Sequence, residues 1–261
     1  MPTRRGKRML DNDKIGDNVL LEVKNLKAEI GGKGILNGVN LKINSGEFHV
    51  LMGPNGSGKT TLAKAIMGHP AIKITGGDIA IDGSSILGLS PDKRAKAGLF
   101  MLFQNPAEID GVGFVNFVRS AVESLNDSTI NTKYFMDEIK AYAESLNFDK
   151  NIVGRSLNKG FSGGEKKKAE VLQMALLKPK MAILDEPDSG LDVDAIKVVA
   201  KNINSIAQKT HPGMLVITHY SRILQYMEPE FVHIMNAGRI ITSGGHEIIE
   251  RIEKNGYDSM E

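Results

Sequence analysis

One short segment of the chain has the composition and spacing of a phosphate-binding turn. It matches the pattern G-x-x-x-x-G-K-[ST] with the residues Gly53, Pro54, Asn55, Gly56, Ser57, Gly58, Lys59 and Thr60. Glycines let successive backbone N–H groups point at phosphate oxygens, and the positive end of a following helix adds to the attraction. Lys59 can then place a full charge on the β and γ phosphates of a nucleotide, while Thr60 offers a hydroxyl to Mg²⁺ and Thr61 bonds the α phosphate. An ordinary glycine turn is the alternative, and the position between a predicted strand and a predicted helix argues against it.

Two adjacent acidic residues, Asp185 and Glu186, follow an apolar segment at 181–184. The segment is typical of a buried strand, which places both acids at its carboxyl end. Asp185 can hold Mg²⁺ through the water shell of the ion, and Glu186 can orient, or take a proton from, a water that attacks the γ phosphate. A solvated turn is the other interpretation of such a pair, and the phosphate-binding turn upstream favours the metal site.

A second turn of small residues, Ser162-Gly163-Gly164, opens a helix predicted to end at Leu177. Backbone N–H groups at a helix start attract anions, so this turn is a second candidate phosphate site. One chain gains little from two such sites for one nucleotide, unless the second contacts a nucleotide held by another chain. A plain helix cap at Ser162 is the alternative.

The surrounding pattern predicts the elements that position these groups. Alternating residues at 19–23 and 39–43 predict an antiparallel entry layer, and the apolar run 48–52 predicts a buried strand that leads into the phosphate-binding turn. A helix is predicted over 58–67. Further strands are predicted at 79–81, 99–103, 181–184 and 214–218, and further helices from residue 90, within 114–148, from 160 to 177 and over 193–208.

Alternating strands and helices of this kind imply right-handed crossovers and a parallel sheet, so the fold class is α/β. Residues 1–18 carry basic and acidic residues with almost no apolar periodicity and are predicted to be a flexible tail. The rest, 19–261, is predicted to be one domain, with a core of 19–103 and 164–261 and a helical subdomain of about 104–163.

Composition excludes several classes of function. The 261 residues include 33 Lys and Arg against 31 Asp and Glu, a net charge of +2, which is too small for general attraction to nucleic acid or membranes. The chain has no cysteine, so it has no disulfide, no thiolate nucleophile and no cysteine-ligated cluster of its own. No apolar stretch has the length of a spanning helix or the pattern of a leader. We therefore expect a cytoplasmic protein that is not inserted in a membrane.

Taken together, these motifs resemble the ATP-binding-cassette (ABC) family over roughly 19–253. The turn Phe161 to Glu165 is similar to the family signature, Ser189 to Asp192 to its D-loop, Gln104 to its Q-loop glutamine and His219 to its switch histidine. The resemblance implies an ATPase that uses ATP and Mg²⁺.

The resemblance also implies roles for single residues. Gln104 would sense Mg²⁺ and the γ phosphate, which adds it to Thr60 and Asp185 as a metal-binding residue. Glu186 and His219 would join Gln104 and Lys59 as the catalytic set. The turn at 162–164 would contact the nucleotide of a second copy in a transient, ATP-dependent homodimer. One position departs from the family, because Ile30 stands where an aromatic residue commonly stacks on adenine, and this predicts weak selection of ATP over GTP.

A narrower resemblance lies outside the nucleotide motifs. Segments 103–112, 160–167, 172–174, 188–192 and 218–224 are similar to the SufC family, the ATPases of the Suf iron–sulfur cluster assembly system. This similarity implies SufB/SufD-like scaffold proteins as partners. An ATPase subunit of an ABC membrane transporter is the alternative. An ABC protein that acts on nucleic acid is a third possibility, although the long coiled-coil insertion or second cassette common in that class is missing from this sequence.

Overall fold

The computed structural model describes residues 19–148, 154–219 and 222–257. The predicted tail at 1–18 lies outside these described residues, as do Tyr220 and Ser221 of the last SufC-like segment. The strands are β1 (Val19–Ile30), β2 (Lys33–Asn44), β3 (Phe48–Met52), β4 (Lys73–Ile81), β5 (Ser84–Ser85), β6 (Leu99–Leu102), β7 (Met181–Asp185), β8 (Gly213–Ile217), β9 (Phe231–Asn236) and β10 (Arg239–Gly244). The helices are α1 (Lys59–Met67), α2 (Pro91–Lys96), α3 (Phe114–Asn126), α4 (Thr132–Ser145), α5 (Gly163–Leu177), α6 (Val193–Thr210) and α7 (Glu247–Asn255), with a 3₁₀ turn at Ile223–Tyr226.

Two sheets organise these elements. A six-stranded sheet has the order β10-β9-β3-β8-β7-β6, in which all neighbours are parallel except the β10–β9 pair at one edge. A four-stranded sheet has the order β2-β1-β4-β5 and is antiparallel throughout. The predicted α/β fold, with a parallel core sheet, an antiparallel entry layer and a helical part, is confirmed. The boundaries at 104 and 163 remain predictions.

The six-stranded sheet separates two hydrophobic cores. Successive side chains of a strand point to opposite faces, so Val50 and Met52 of β3 enter one core while Leu51 enters the other. The first core contains the apolar faces of α3 to α6, and the second lies between the core sheet, α1 and the entry layer. Because both faces of β3 are covered, all five of its residues are buried, which explains its apolar run.

A buried arginine holds the far end of α1. Arg94 is 2% exposed, and its Nη1 donates to the carbonyl oxygens of Ala65 and Ile66 at 2.9 and 2.7 Å, while Nε donates to that of Leu89 at 3.0 Å. The last carbonyls of a helix have no partner within the helix and carry partial negative charge. The guanidinium therefore fixes the carboxyl end of the helix that starts at the phosphate-binding turn.

A chain of polar side chains, with two buried histidines at its centre, connects β3 to the β9–β10 hairpin. The His49 ring lies 2.9 Å from a Glu47 carboxylate oxygen through Nε2 and 2.9 Å from His233 Nε2 through Nδ1. The other nitrogen of His233, Nδ1, lies 2.7 Å from Ser243 Oγ. Because a carboxylate only accepts, neutral His49 must donate from Nε2, so that His233 donates to His49 and Ser243 donates to His233. Burial, followed by the nearby His49, lowers the pKa of His233 to about 4.

This lowered pKa predicts a pH dependence of stability. The unfolded chain binds a proton at His233 below about pH 6.5 and the folded chain only near pH 4, so the free energy of unfolding falls as pH falls through that window. His233→Gln keeps a donor toward His49 but does not titrate. Between pH 7 and pH 5 the variant should lose about 2 kcal/mol less stability than the unmodified protein in urea unfolding experiments. His246→Ala, at an exposed position, is the control, and equal pH dependence in all three proteins would refute the assignment.

Candidate active site

A cleft of about 470 Å³ lies over the phosphate-binding turn. It is formed where β3, β6, β7 and β8 end, because parallel strands bring their carboxyl ends to the same edge of the sheet. The residues that line it come from β2, from the turn, from α1 and from the three segments that follow β6, β7 and β8. They are Ile35, Asn55, Gly56, Gly58, Lys59, Thr60, Thr61, Gln104, Glu186 and His219.

The phosphate-binding turn is held against the β9–β10 hairpin. Gly53 has φ 150°, and a Cβ at this position would lie 2.1 Å from the carbonyl oxygen of Met235 in β9. Only glycine permits so close an approach of two backbone segments. The N–H of Gly238, between β9 and β10, also donates to the carbonyl oxygen of Ser57 at 2.8 Å. The hairpin thus fixes the turn from behind, and no pattern in the turn itself reveals this contact.

Lys59 begins α1 and is 6% exposed. Its Nζ donates to the carbonyl oxygens of Gly53 and Pro54 at 2.8 and 3.0 Å, so the ammonium lies across the turn. Burial lowers its pKa, and the nearby Glu186 and Asp185 oppose that shift. The lysine is therefore positioned to present its charge to an anion in the turn.

Thr60 and Asp185 form a pair suited to a hard cation. Thr60 Oγ1 donates to Asp185 Oδ1 at 3.2 Å, and Asp185 is 1% exposed. Burial raises the pKa of Asp185, although the Thr60 hydrogen bond opposes the shift. Asp185 Oδ2 and the nearby turn hydroxyl of Ser57 are buried without a hydrogen-bond partner. Such unpaired buried oxygens fit a bound cation and phosphate. Without these ligands each oxygen loses its hydration and gains no hydrogen bond in return.

The rest of the donor set also fits Mg²⁺. Within the described ranges no three His, Asp or Glu side chains cluster as a metal cage. Mg²⁺ does not require one, since it keeps several waters and binds through one or two carboxylates together with substrate phosphates. Gln104, which lines the same cleft, adds an amide oxygen of the type this ion accepts.

Glu186 is the centre of the polar contacts in the cleft. Its Oε2 accepts from Gln104 Nε2 at 2.6 Å, and its Oε1 lies 3.1 Å from His219 Nδ1. The residue has φ +49°, in the left-handed region, and its backbone N–H donates to Ile217 O at 2.8 Å. A carboxylate only accepts, so His219 Nδ1 carries the proton and donates it to Glu186. The other ring nitrogen, Nε2, can then donate to a phosphate only if it carries a proton as well.

The turn at 162–164 lies elsewhere on the surface. Ser162 caps α5, since its hydroxyl accepts from Glu165 N at 3.2 Å and Glu165 Oε2 accepts from Ser162 N at 2.8 Å. The predicted cap is therefore present. Ser162 and Gly163 are exposed, and none of 162–164 is among the residues that line the cleft over the same chain's phosphate-binding turn.

Comparison with known proteins identifies the family. A family model described as ABC transporter matches residues 36–189, more than half of the chain. The chain belongs to this ABC family. ABC-family domains bind ATP with Mg²⁺ and hydrolyse ATP, so this protein is a Mg²⁺-dependent ATPase.

Relatives of this ABC ATPase match over nearly the full length. "Probable ATP-dependent transporter ycf16" of Cyanophora paradoxa is 47% identical over 243 residues, which cover 92% of this chain and 93% of the relative. "Vegetative protein 296" of Bacillus subtilis (strain 168) is 50% identical over 240 residues, which cover 91% of this chain and 92% of the relative.

Solved structures share the ABC fold at lower sequence identity. An ATP-binding subunit of an ABC transporter has a TM-score of 0.75 at 24% identity and covers 92% of this chain and 97% of its own. A dimeric bacterial ABC transporter cassette has a TM-score of 0.75 at 19% identity and covers 87% of this chain and 98% of its own.

Sequence reasoning missed several residues around this site. Ile35 lines the cleft, whereas Ile30, at the expected adenine position, is 40% exposed at the end of β1 and does not. The role of Lys167 and Glu170, which contact the backbone of Phe103 and Gln104, was also missed. Lys167 ends the SufC-like segment 160–167, but the contact depends on the tertiary structure and no sequence pattern indicates it. The supporting hairpin at Met235 was missed for the same reason.

The position of Lys59 predicts the effect of its removal. Lys59→Ala should weaken ATP binding by about 10- to 100-fold, because a charge-assisted bond to phosphate contributes about 1.5–3 kcal/mol. Calorimetric titration with ATP and Mg²⁺ measures the change, and Lys73→Ala, on exposed β4, is the matched control. Unchanged affinity in Lys59→Ala would contradict the position we assign to the phosphates.

Proposed function

We propose that this chain is the ATP-hydrolysing subunit of an iron–sulfur cluster assembly complex. Two copies dimerise on ATP and drive a conformational change in SufB/SufD-like scaffold proteins. The complex is cytoplasmic, and this subunit neither binds nucleic acid directly nor inserts into a membrane. None of the helices in the described part of the chain combines the length and apolar character needed to cross a bilayer.

An apolar groove beside Gln104 carries the partner part of this proposal. The groove has a volume of about 770 Å³, larger than the nucleotide cleft, and is lined by residues of α2, β6, the segment after β6, α3 and α5, Glu170 among them. Phe103, Ile109 and Phe117 line it and are 43%, 39% and 36% exposed. A cluster of exposed large apolar side chains marks a surface that another protein covers. Phe103 and Ile109 belong to the SufC-like segment 103–112, which supports a Suf-type partner here.

ATP-dependent dimerisation follows from the separation of the two anion sites. Lys59 and Thr60 of one copy would face Ser162 and Gly164 of the other, with ATP between them. Ser162 and Gly163, at the start of α5, are exposed, and none of 162–164 lines the cleft of its own chain. Closure would depend on the γ phosphate, because the opposing N–H groups have an anion to bind only while it is present.

Within the closed dimer each chain contributes its own hydrolytic groups. Glu186 would orient the attacking water and accept its proton, which requires the carboxylate to exchange its present hydrogen bonds. Lys59, Gln104 and His219 would hold the γ phosphate. Mg²⁺, held by Thr60, Gln104 and Asp185, would neutralise charge that develops on the phosphates.

The absence of cysteine in this chain supports a division of tasks in which the partners bind the cluster. Iron–sulfur clusters are held mainly by cysteine thiolates, and this chain has none. The chain is therefore suited to supply movement while a scaffold protein binds iron and sulfide.

The alternative is an ATPase subunit of an ABC membrane transporter. The name of the Cyanophora paradoxa relative, an ATP-dependent transporter, favours it. The same groove beside Gln104 would then receive a segment of a membrane-spanning partner.

The catalytic proposal predicts a trapped state. Glu186→Gln should keep ATP affinity, reduce turnover by about 10²-fold or more and accumulate as a closed dimer with ATP and Mg²⁺. Phosphate release and analytical ultracentrifugation, with and without the partners, measure the two effects. Asp194→Asn, exposed on α6, is the control. Near-normal turnover, or a strictly monomeric Glu186→Gln protein under these conditions, would contradict the scheme.

The partner proposal predicts which proteins co-purify. Affinity purification from native cells should recover β-rich scaffold proteins without membrane spans, and Ile109→Lys should abolish the association. Ile241→Lys, on β10 and similarly exposed at 41% against 39%, should leave it intact. Recovery of integral membrane proteins instead, sensitive to the same groove variant, would favour the transporter.

A further inference from the structure

Helix α5 carries two charged side chains that are almost completely buried. Lys167 is 3% exposed and Glu170 is 4% exposed, and both face the segment that follows β6. Glu170 Oε1 accepts from the backbone N–H of Phe103 at 2.7 Å. Lys167 Nζ donates to the carbonyl oxygens of Phe103 and Gln104 at 2.6 and 3.1 Å. Three backbone groups of two consecutive residues are thus held by one helix.

Burial of these charges is costly, so their contacts need an explanation. The Nζ of Lys167 lies 3.9 Å from Glu170 Oε2, and that oxygen has no hydrogen-bond partner. Burial raises the pKa of Glu170 to about 7, although Lys167 and the Phe103 N–H oppose the shift. A buried ion pair is often no more stabilising than apolar residues of the same size. The pair is therefore better explained by what it positions than by a gain in stability.

The contacts lie where the chain leaves the sheet. β6 ends at Leu102, so Phe103 and Gln104 have no neighbouring strand to hold their backbone. The charged pair takes over that task from α5. From this fixed backbone the Gln104 side chain reaches Glu186 Oε2 at 2.6 Å. The position of the amide in the cleft depends on the pair that anchors its main chain.

We propose that Glu170 and Lys167 are positioning residues for the ATPase reaction, and that they act by fixing the Phe103–Gln104 backbone so that the Gln104 amide lies in the nucleotide cleft. This inference rests on the role proposed for Gln104 in hydrolysis. Neither charged side chain lines the cleft over the phosphate-binding turn, so neither is a catalytic residue.

The same arrangement connects the cleft to two other surfaces. α5 begins at the turn 162–164, which would contact the second copy, and Phe103 projects into the apolar groove. Lys167 and Glu170 therefore belong to the helix that starts at one of these surfaces, and they hold the backbone of a residue that lines the other.

The first test compares three single variants on α5. Glu170→Leu removes the acceptor, Glu170→Gln keeps it without the charge, and Lys168→Ala is the control because Lys168 donates to Asn147 O and not to this segment. In the nucleotide-free protein, the Phe103 amide should exchange hydrogen faster in Glu170→Leu and remain protected in the other two. The kcat should fall about 10-fold in Glu170→Leu, the usual size of effect when a contact that supports a ligand is lost. The KM for ATP should not change. Glu170→Gln should restore most of the lost kcat.

Thermal unfolding of each variant separates positioning from folding. Rates are compared per folded molecule. If Glu170→Leu does not fold, Lys167→Met removes the donor to the Phe103 and Gln104 carbonyl oxygens and should give the same fall in kcat, and an unchanged kcat in that variant would overturn the inference. Full protection of the Phe103 amide in the folded variant, or an equal loss in Glu170→Gln and Glu170→Leu, would overturn the inference.

A double variant distinguishes this inference from the function on which it rests. If Glu170 acts through Gln104, the pair Gln104→Ala and Glu170→Leu should lose no more kcat than Gln104→Ala alone. A multiplicative loss would overturn the positioning role and leave that of Gln104 intact. Unchanged kcat in Gln104→Ala would overturn the proposed role of Gln104 and the inference with it.

Discussion

The close contact between two backbone segments, the phosphate-binding turn and the β9–β10 hairpin, is the constraint on which the site depends. Gly53 and Met235 O approach so closely that no side chain fits between them. The hairpin also donates from the Gly238 N–H to the carbonyl oxygen of Ser57 in the turn. Because the turn is fixed from behind, its N–H groups can face the cleft without a ligand to organise them. Preorganised donors of this kind bind an anion without the cost of ordering the loop.

The other functional groups gather at one edge because the sheet is parallel. The segments after β6, β7 and β8 carry Gln104, Glu186 and His219, three residues far apart in sequence. Their strands are neighbours in the sheet, so their carboxyl ends meet, and Glu186 contacts both of the others. A movement of the end of β6 or β8 would therefore change a contact of the Glu186 carboxylate, which we propose as the base. This arrangement would couple the partner contact that we propose at the end of β6 to nucleotide chemistry in one small domain.

The sequence predicted those features that depend on residues close together in the chain. β3 and the turn after it are consecutive residues with a dense pattern, and the helix caps and buried strands follow from short-range periodicity. The β9–β10 hairpin was not predicted, because β9 includes a histidine whose burial is explained only by His49 and Ser243 on other strands. Lys167 and Glu170 were likewise hidden, since a charged residue on a helix normally indicates an exposed face. The burial of these residues depends on contacts with residues that are distant in the sequence, and a single sequence does not reveal such contacts.

The buried arginine at the end of α1 has a consequence for the protein before nucleotide arrives. α1 has nine residues, and its two ends carry opposite partial charges that would normally both be hydrated. Arg94 neutralises the negative pole inside the protein, whereas the positive pole lies at Lys59, next to the carboxylates of Asp185 and Glu186. The two ends of the helix therefore differ. The negative end is compensated inside the protein by a guanidinium, and the positive end lies in the nucleotide cleft. An approaching polyphosphate therefore meets the lysine and the positive end of the helix, and a cation that arrives with it would offset the two carboxylates beside them.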